Sequence, residues 1–168
     1  MRPVKGDYGE YYQPYIDLVK GDDIFRILVE QNLESQNVLN SFSENKGNYR
    51  YAEGKWTVKE VIGHLMDVER VFAYRALCIA RGETKPLPGM DQNIYVENGN
   101  FNKRQLIDLN YEYRLLRESS ILLYGGLNKS VLQNRGNASG YEVTVLALMF
   151  MTAGHEKHHL NVLTERYM

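Results

Sequence analysis

The chain has 168 residues, with 20 Lys and Arg against 21 Asp and Glu, a net charge of −1 and a single cysteine, Cys78. That length suits one domain, residues 1–168, with a substantial hydrophobic core. The even charge gives nucleic acid no electrostatic footing, and a lone cysteine suits a reducing cytoplasm. The first eight residues, Met1 to Tyr8, lack the apolar segment of a secretory signal. The longest apolar run, from Val145 to Met151, falls far short of the ~20 residues that span a bilayer.

In chain order, a short helix is expected near 10–19, closed by Gly21. Four longer stretches carry helical periodicity, at about 23–42, 57–81, 103–124 and 142–166. Thr57 with Glu60 fits a capping box, Asn102 with Gln105 fits the amide version, and Ser139 with Glu142 fits it again. The segment from Gly47 to Gly54 breaks the first two helices apart. Gly82 to Asn100, with Pro86, Pro88, Gly89 and Gly99, is expected to be a loop, and Gly125-Gly126 opens the last connection. Four amphipathic helices argue for an all-α four-helix bundle. The long second connection can cross the bundle, making the second and third helices parallel.

The four histidines fall in two places: His64 alone, and His155, His158 and His159 together. At ~100° per residue, with Leu148 at zero, His159 lies near ~20° and His155 near ~−20°, both mid-face among apolar residues. His158 falls at the edge near ~−80°, an exposed or neighbouring position, and Glu156 at the opposite edge near ~80°. On the second helix His64 shares its face with Val61, Val68 and Val71, with Asp67 beside it near ~−60°. If the two helices run antiparallel, as a long crossover predicts, the three inward histidines sit at similar depth; if parallel, they are offset by roughly 11 Å. Three inward imidazoles at one depth fit a metal site with an open position, whereas each alone is ordinarily a hydrogen-bonded core residue. Cys78 lies roughly 21 Å along the helix from His64, too far to share the ion.

Residues 155–159 also read H-E-x-x-H, the zinc metalloprotease pattern with Glu156 as base. Only nine residues follow His159, and Glu165 is the sole downstream ligand candidate. No strand to line a peptide cleft is expected either, so this reading is set aside.

The segment Lys55–Arg70, the loop Pro86–Asp91 and the segment Thr152–Leu160 together resemble the DinB/YfiT-like superfamily of metal-binding four-helix bundles. The blocks span about residues 20–165, and their order and spacing carry the resemblance. It implies a bundle with a long crossover between helices 2 and 3, often a homodimer. It implies that His64, His155 and His159 hold a divalent metal such as nickel or zinc. Among relatives of this kind are thiol S-transferases using bacillithiol or mycothiol, and a mycothiol-dependent isomerase.

Three neutral imidazoles leave a divalent ion its full charge and an open position, so a bound water or thiol is deprotonated near neutral pH. The leading expectation is a metal-dependent transfer of a low-molecular-weight, bacillithiol-type thiol to a small electrophile. Metal-dependent hydrolysis and a non-catalytic metal- or ligand-binding bundle are the alternatives. Asp67 either orients His64 or acts as a base; otherwise it pairs with Arg70 or Lys59. Glu69 and Arg70 suit surface or interhelix pairs. In loop 86–98, Asp91, Gln92, Asn93 and Tyr95 either cap the metal mouth or pack on the bundle. Tyr8, Tyr11, Tyr12 and Tyr15 suit a packed N-terminal segment or a dimer contact, and Trp56 suits a hydrophobic staple better than a ligand platform. Arg75 points inward, toward an unnamed buried carboxylate.

Overall fold

Thr57 starts the helix that organises the rest. Its hydroxyl accepts from the Glu60 N–H at 3.1 Å, and Glu60 reaches back to the Thr57 N–H at 2.8 Å, so the expected capping box is formed. In the computed structural model, which describes residues 1–168, this helix, α4, runs Val58–Ala80. It ends where Gly82 takes a positive φ of 89°, open to glycine at little cost. The other long helices are α2 (Ile24–Asn40), α6 (Leu106–Gly125) and α7 (Val145–Arg166). Shorter pieces are α1 (Gln13–Leu18) after a 3-10 turn at Glu10–Tyr12, α3 (Glu44–Gly47) and α5 (Gln92–Gly99).

α2 and α4 each pack on both α6 and α7, so they face one another across the bundle diagonal. The Tyr167 hydroxyl at the end of α7 donates to the Trp56 carbonyl at the start of α4 (2.7 Å), so these two helices are antiparallel. α6 runs parallel to α4: Asn102 before α6 bonds Glu60, and Arg117 further on bonds Glu69. The connection from Gly82 to Gln105 therefore crosses the length of the bundle, as expected.

Three local expectations are corrected. The Ser139–Glu142 cap is a hairpin turn instead. Ser139 and Gly140 both have positive φ (57° and 83°), and they join β1 (Arg135–Ala138) to antiparallel β2 (Tyr141–Thr144). α7 starts three residues later, capped by Thr144. Asn102 and Gln105 do not cap α6: the Leu106 N–H donates to the Glu44 carboxylate (2.7 Å), while Asn102 bridges Thr57 and Glu60. The Gly82–Asn100 loop contains α5, started by Asp91, which accepts from the N–H of Asn93 and Ile94.

The core has two apolar parts. One, around Phe150, Leu146, Phe72 and Leu28, lies against the hairpin and N-terminal segment. The other, around Leu109, Ile62, Leu65 and Leu163, lies at the opposite end. Between them the four helices contribute buried polar side chains: Ser35 from α2, His64 and Glu69 from α4, Tyr113 and Arg117 from α6, and Thr152, His155 and Glu156 from α7. No helix is long and apolar enough to cross a membrane.

Candidate metal centre

Because α4 and α7 are antiparallel, His64, in the first third of one, meets His155 at the middle of the other and His159 one turn further on. One ring nitrogen from each lies within 4.8 Å of the others, and no carboxylate or fourth histidine joins them. The Nε2 atoms of His64 and His155 are 3.0 Å apart. The rings stand edge to face in pairs, with centroids 4.6 to 4.9 Å apart. Such convergence of three neutral nitrogens suits a divalent ion with imidazole affinity. Burial holds all three histidines below their ordinary range, His64 to about 4, and the neighbouring imidazoles push His155 and His159 down further. At neutral pH the three imidazoles are therefore uncharged, the form that binds metal.

The walls are aromatic. Trp56 lies 4.7 Å from His64, centroid to centroid, so beyond any staple contact with Val61 it covers the His64 ring. Tyr15 meets both His155 and His158 at 5.5 Å, and Phe72 meets His155 at 6.2 Å. Tyr15 can come so close because Gly154 lies under it: a Cβ there would stand 2.1 Å from the Tyr15 carbonyl oxygen. Of the N-terminal tyrosines, Tyr8 is buried, Tyr12 packs on Phe72 and Tyr15 reaches the histidines, while Tyr11 stays exposed. His158 is exposed, at the edge as expected.

Two clefts open beside the histidines. A cleft of about 460 Å³ reaches His155 past Tyr15, Phe72 and Val68, and ends at Arg75. A second, of about 310 Å³, reaches His159 and His158 past Trp56 and Tyr51. Asp91 and Gln92 line the first and Asn93 the second, so the start of α5 lies between them. Tyr95 lines neither and is exposed.

Asp67 is not brought onto the histidines. It is half-buried, its charged neighbour is Arg70 at 3.9 Å, and the buried Nδ1 of His64 has no partner. Burial raises the Asp67 carboxyl, opposed by Arg70. Arg70 itself makes an interhelix pair with Glu112 at 2.5 Å. The expectation that Arg75 meets a buried carboxylate is also corrected: its Nη2 donates to the Pro88 carbonyl (2.7 Å) and the Ser139 hydroxyl (2.8 Å).

One feature of the centre went unread in the sequence. Arg117 is wholly buried and bidentate to Glu69 (2.9 and 2.8 Å), and its Nη1 donates to Glu156 at 2.6 Å. Glu156 also accepts from Tyr113 and from Ser35 (2.5 Å). Glu156 therefore points away from the histidines into the bundle, which removes it as a metalloprotease base. Burial raises its carboxyl, while Arg117 opposes that shift. A signal existed: Arg117 lies only ~20° from Leu106 on the α6 wheel, in the middle of the apolar stripe.

A helical bundle with a long crossover, presenting a buried three-imidazole cluster beside open clefts, defines a class of candidate metal-binding bundles. Residues 28–163 match the DinB superfamily, and the chain belongs to it. The structure of YfiT from Bacillus subtilis, described as a probable metal-dependent hydrolase with an unusual four-helix bundle topology, is similar with a TM-score of 0.74. The two are 16% identical, over 98% of this chain and 90% of that one, a likeness of fold. Comparison with curated proteins finds no significant match.

Proposed function

We propose that the whole chain is one metal-dependent domain in which His64, His155 and His159 hold a single divalent ion, nickel or zinc. It transfers a low-molecular-weight thiol to a small electrophile. The observation that carries this reading is a three-nitrogen cluster with no fourth protein ligand, flanked by two separate clefts. A missing fourth ligand suits catalysis over a structural role. Two clefts, one at His155 and one at His159, suit a reaction with two organic substrates.

A divalent ion held there would supply the charge that deprotonates a bound thiol near neutral pH. The chain's own residues do the rest. Burial keeps protons off the three imidazoles, and Trp56, Phe72 and Tyr15 hold their rings in place. The Arg117 network ties α4, α6 and α7 at one depth. The thiolate sulfur forms a bond to the electrophilic carbon, whose leaving group departs with its electron pair. Exposed His158, between Tyr15 and His159, is placed to pass the thiol proton to solvent. Hydrolysis, with water in place of the thiol, is the second reading, and the description of YfiT favours it. We further propose a homodimer through the exposed stripe of Ile107, Tyr111, Leu115 and Leu122 on α6.

Elemental analysis of untagged protein beside a His155→Ala, His159→Ala variant tests the centre. About one transition metal per chain, lost in the variant, is expected. Wild type that carries no metal and takes up neither nickel nor zinc overturns the proposal. Activity on electrophiles that requires added bacillithiol supports transfer; thiol-independent ester cleavage supports hydrolysis.

A further inference from the structure

Arg75 differs from the other buried cations of this chain. Arg117 is paired with two carboxylates, and Lys59 with Glu44 at 2.5 Å. Arg75 is only 3% exposed, yet its two hydrogen-bond acceptors are a carbonyl and a hydroxyl, both neutral, and both are taken by Nη2. Burying a guanidinium without a counter-charge is costly. Its Nη1 and Nε face no carboxylate, and the Tyr12 phenol lies alongside, its upward shift by burial opposed by the arginine charge. The one carboxylate lining this cleft, Asp91, is turned onto the backbone of α5, accepting from Asn93 at 2.9 Å. The cleft that touches His155 at one end thus presents an unneutralised cation at the other.

The distance between the two ends sets the ligand. Phe72 contacts His155, and Arg75 lies about 4.5 Å of helix rise beyond Phe72. Val68, Val71 and Phe72 form an apolar wall along the way. We propose that Arg75, with Tyr12 and Ser139, is an anion subsite that binds the carboxylate of an elongated substrate whose apolar middle lies along this wall and whose reacting end reaches the histidines. This rests on the reading that the cleft at His155 admits substrate. It adds what that substrate must carry.

Calorimetric titration with 4-phenylbutyrate and with the uncharged 4-phenylbutyramide tests it. Wild type is expected to bind the carboxylate about tenfold more tightly, the increment of a charge-assisted hydrogen bond, and to lose part of that preference in high salt. Arg75→Gln should bind both equally, and Arg75→Lys should keep part of the preference. The His155→Ala, His159→Ala variant should keep it whole, so a failed metal reading leaves this result standing. Equal binding of the two probes by wild type overturns the subsite. So does a preference that vanishes in the histidine variant but survives Arg75→Gln, since the carboxylate would then sit at the metal. Because Arg75 also ties the Pro88 loop to the hairpin, its variants can lose structure. The Arg75 Nε–H resonance of wild type is therefore followed as well: it should move with the carboxylate and stay with the amide, and a resonance that moves with neither overturns the proposal.

Discussion

Lowering the pH of metal-free protein tests the burial of the histidines directly. His64, His155 and His159 are held well below 6.5 in the fold, mainly by burial. The unfolded chain takes up their protons near 6.5 while the folded chain does not. Stability is therefore complete above 6.5 and is lost as the pH falls through 6.5, until the folded values, about 4 for His64, are reached. One unit below 6.5 each histidine costs about 1.4 kcal/mol, and three cost about 4 kcal/mol. Glu156, raised by burial, works in the opposite sense and makes that figure an upper estimate. Urea unfolding of chelator-treated protein at pH 7.5 and 5.5 measures the loss. The His64→Gln, His155→Gln, His159→Gln variant should show little of it. An equal loss in wild type and variant would refute the argument, because the acid sensitivity would then arise elsewhere.

Two further outcomes follow from the packing. Arg117→Met leaves Glu69 and Glu156 buried without their cation and should cost about 3–5 kcal/mol in urea unfolding at pH 7. Replacing Glu69 and Glu156 by Leu in the same protein should recover most of that, and a single-variant cost below about 1 kcal/mol would contradict the network. Gly154→Ala drives a methyl into the Tyr15 backbone and should cost about 1–3 kcal/mol. It should also free the N-terminal segment, read as faster proteolysis before Ile24 and loss of the Tyr15–His155 contact by NMR.

Periodicity marked the four long helices to within three residues at each end, because each buries one face against a shared core and the 3.6-residue repeat records that face. The same repeat turned His64, His155 and His159 inward, and the length of Gly82–Gln105 gave the antiparallel pairing that lets them meet. Ser139 and Glu142 show where local pattern fails: the spacing of a capping box also fits a tight hairpin, and only the pairing of Arg135–Ala138 with Tyr141–Thr144 separates the two. α5 was hidden because its eight residues lie among prolines and glycines and bury little.

What the chain alone determined is which faces are apolar and which side chains share them, since helical geometry fixes relative angle and depth within one element. Which helix lies opposite was decided by the tertiary structure. Arg117 found Glu69 and Glu156, and Arg75 found Pro88 and Ser139, through contacts between residues 13 to 64 positions apart. No local repeat encodes such distances. They follow from how the four helices and their crossover exclude water together.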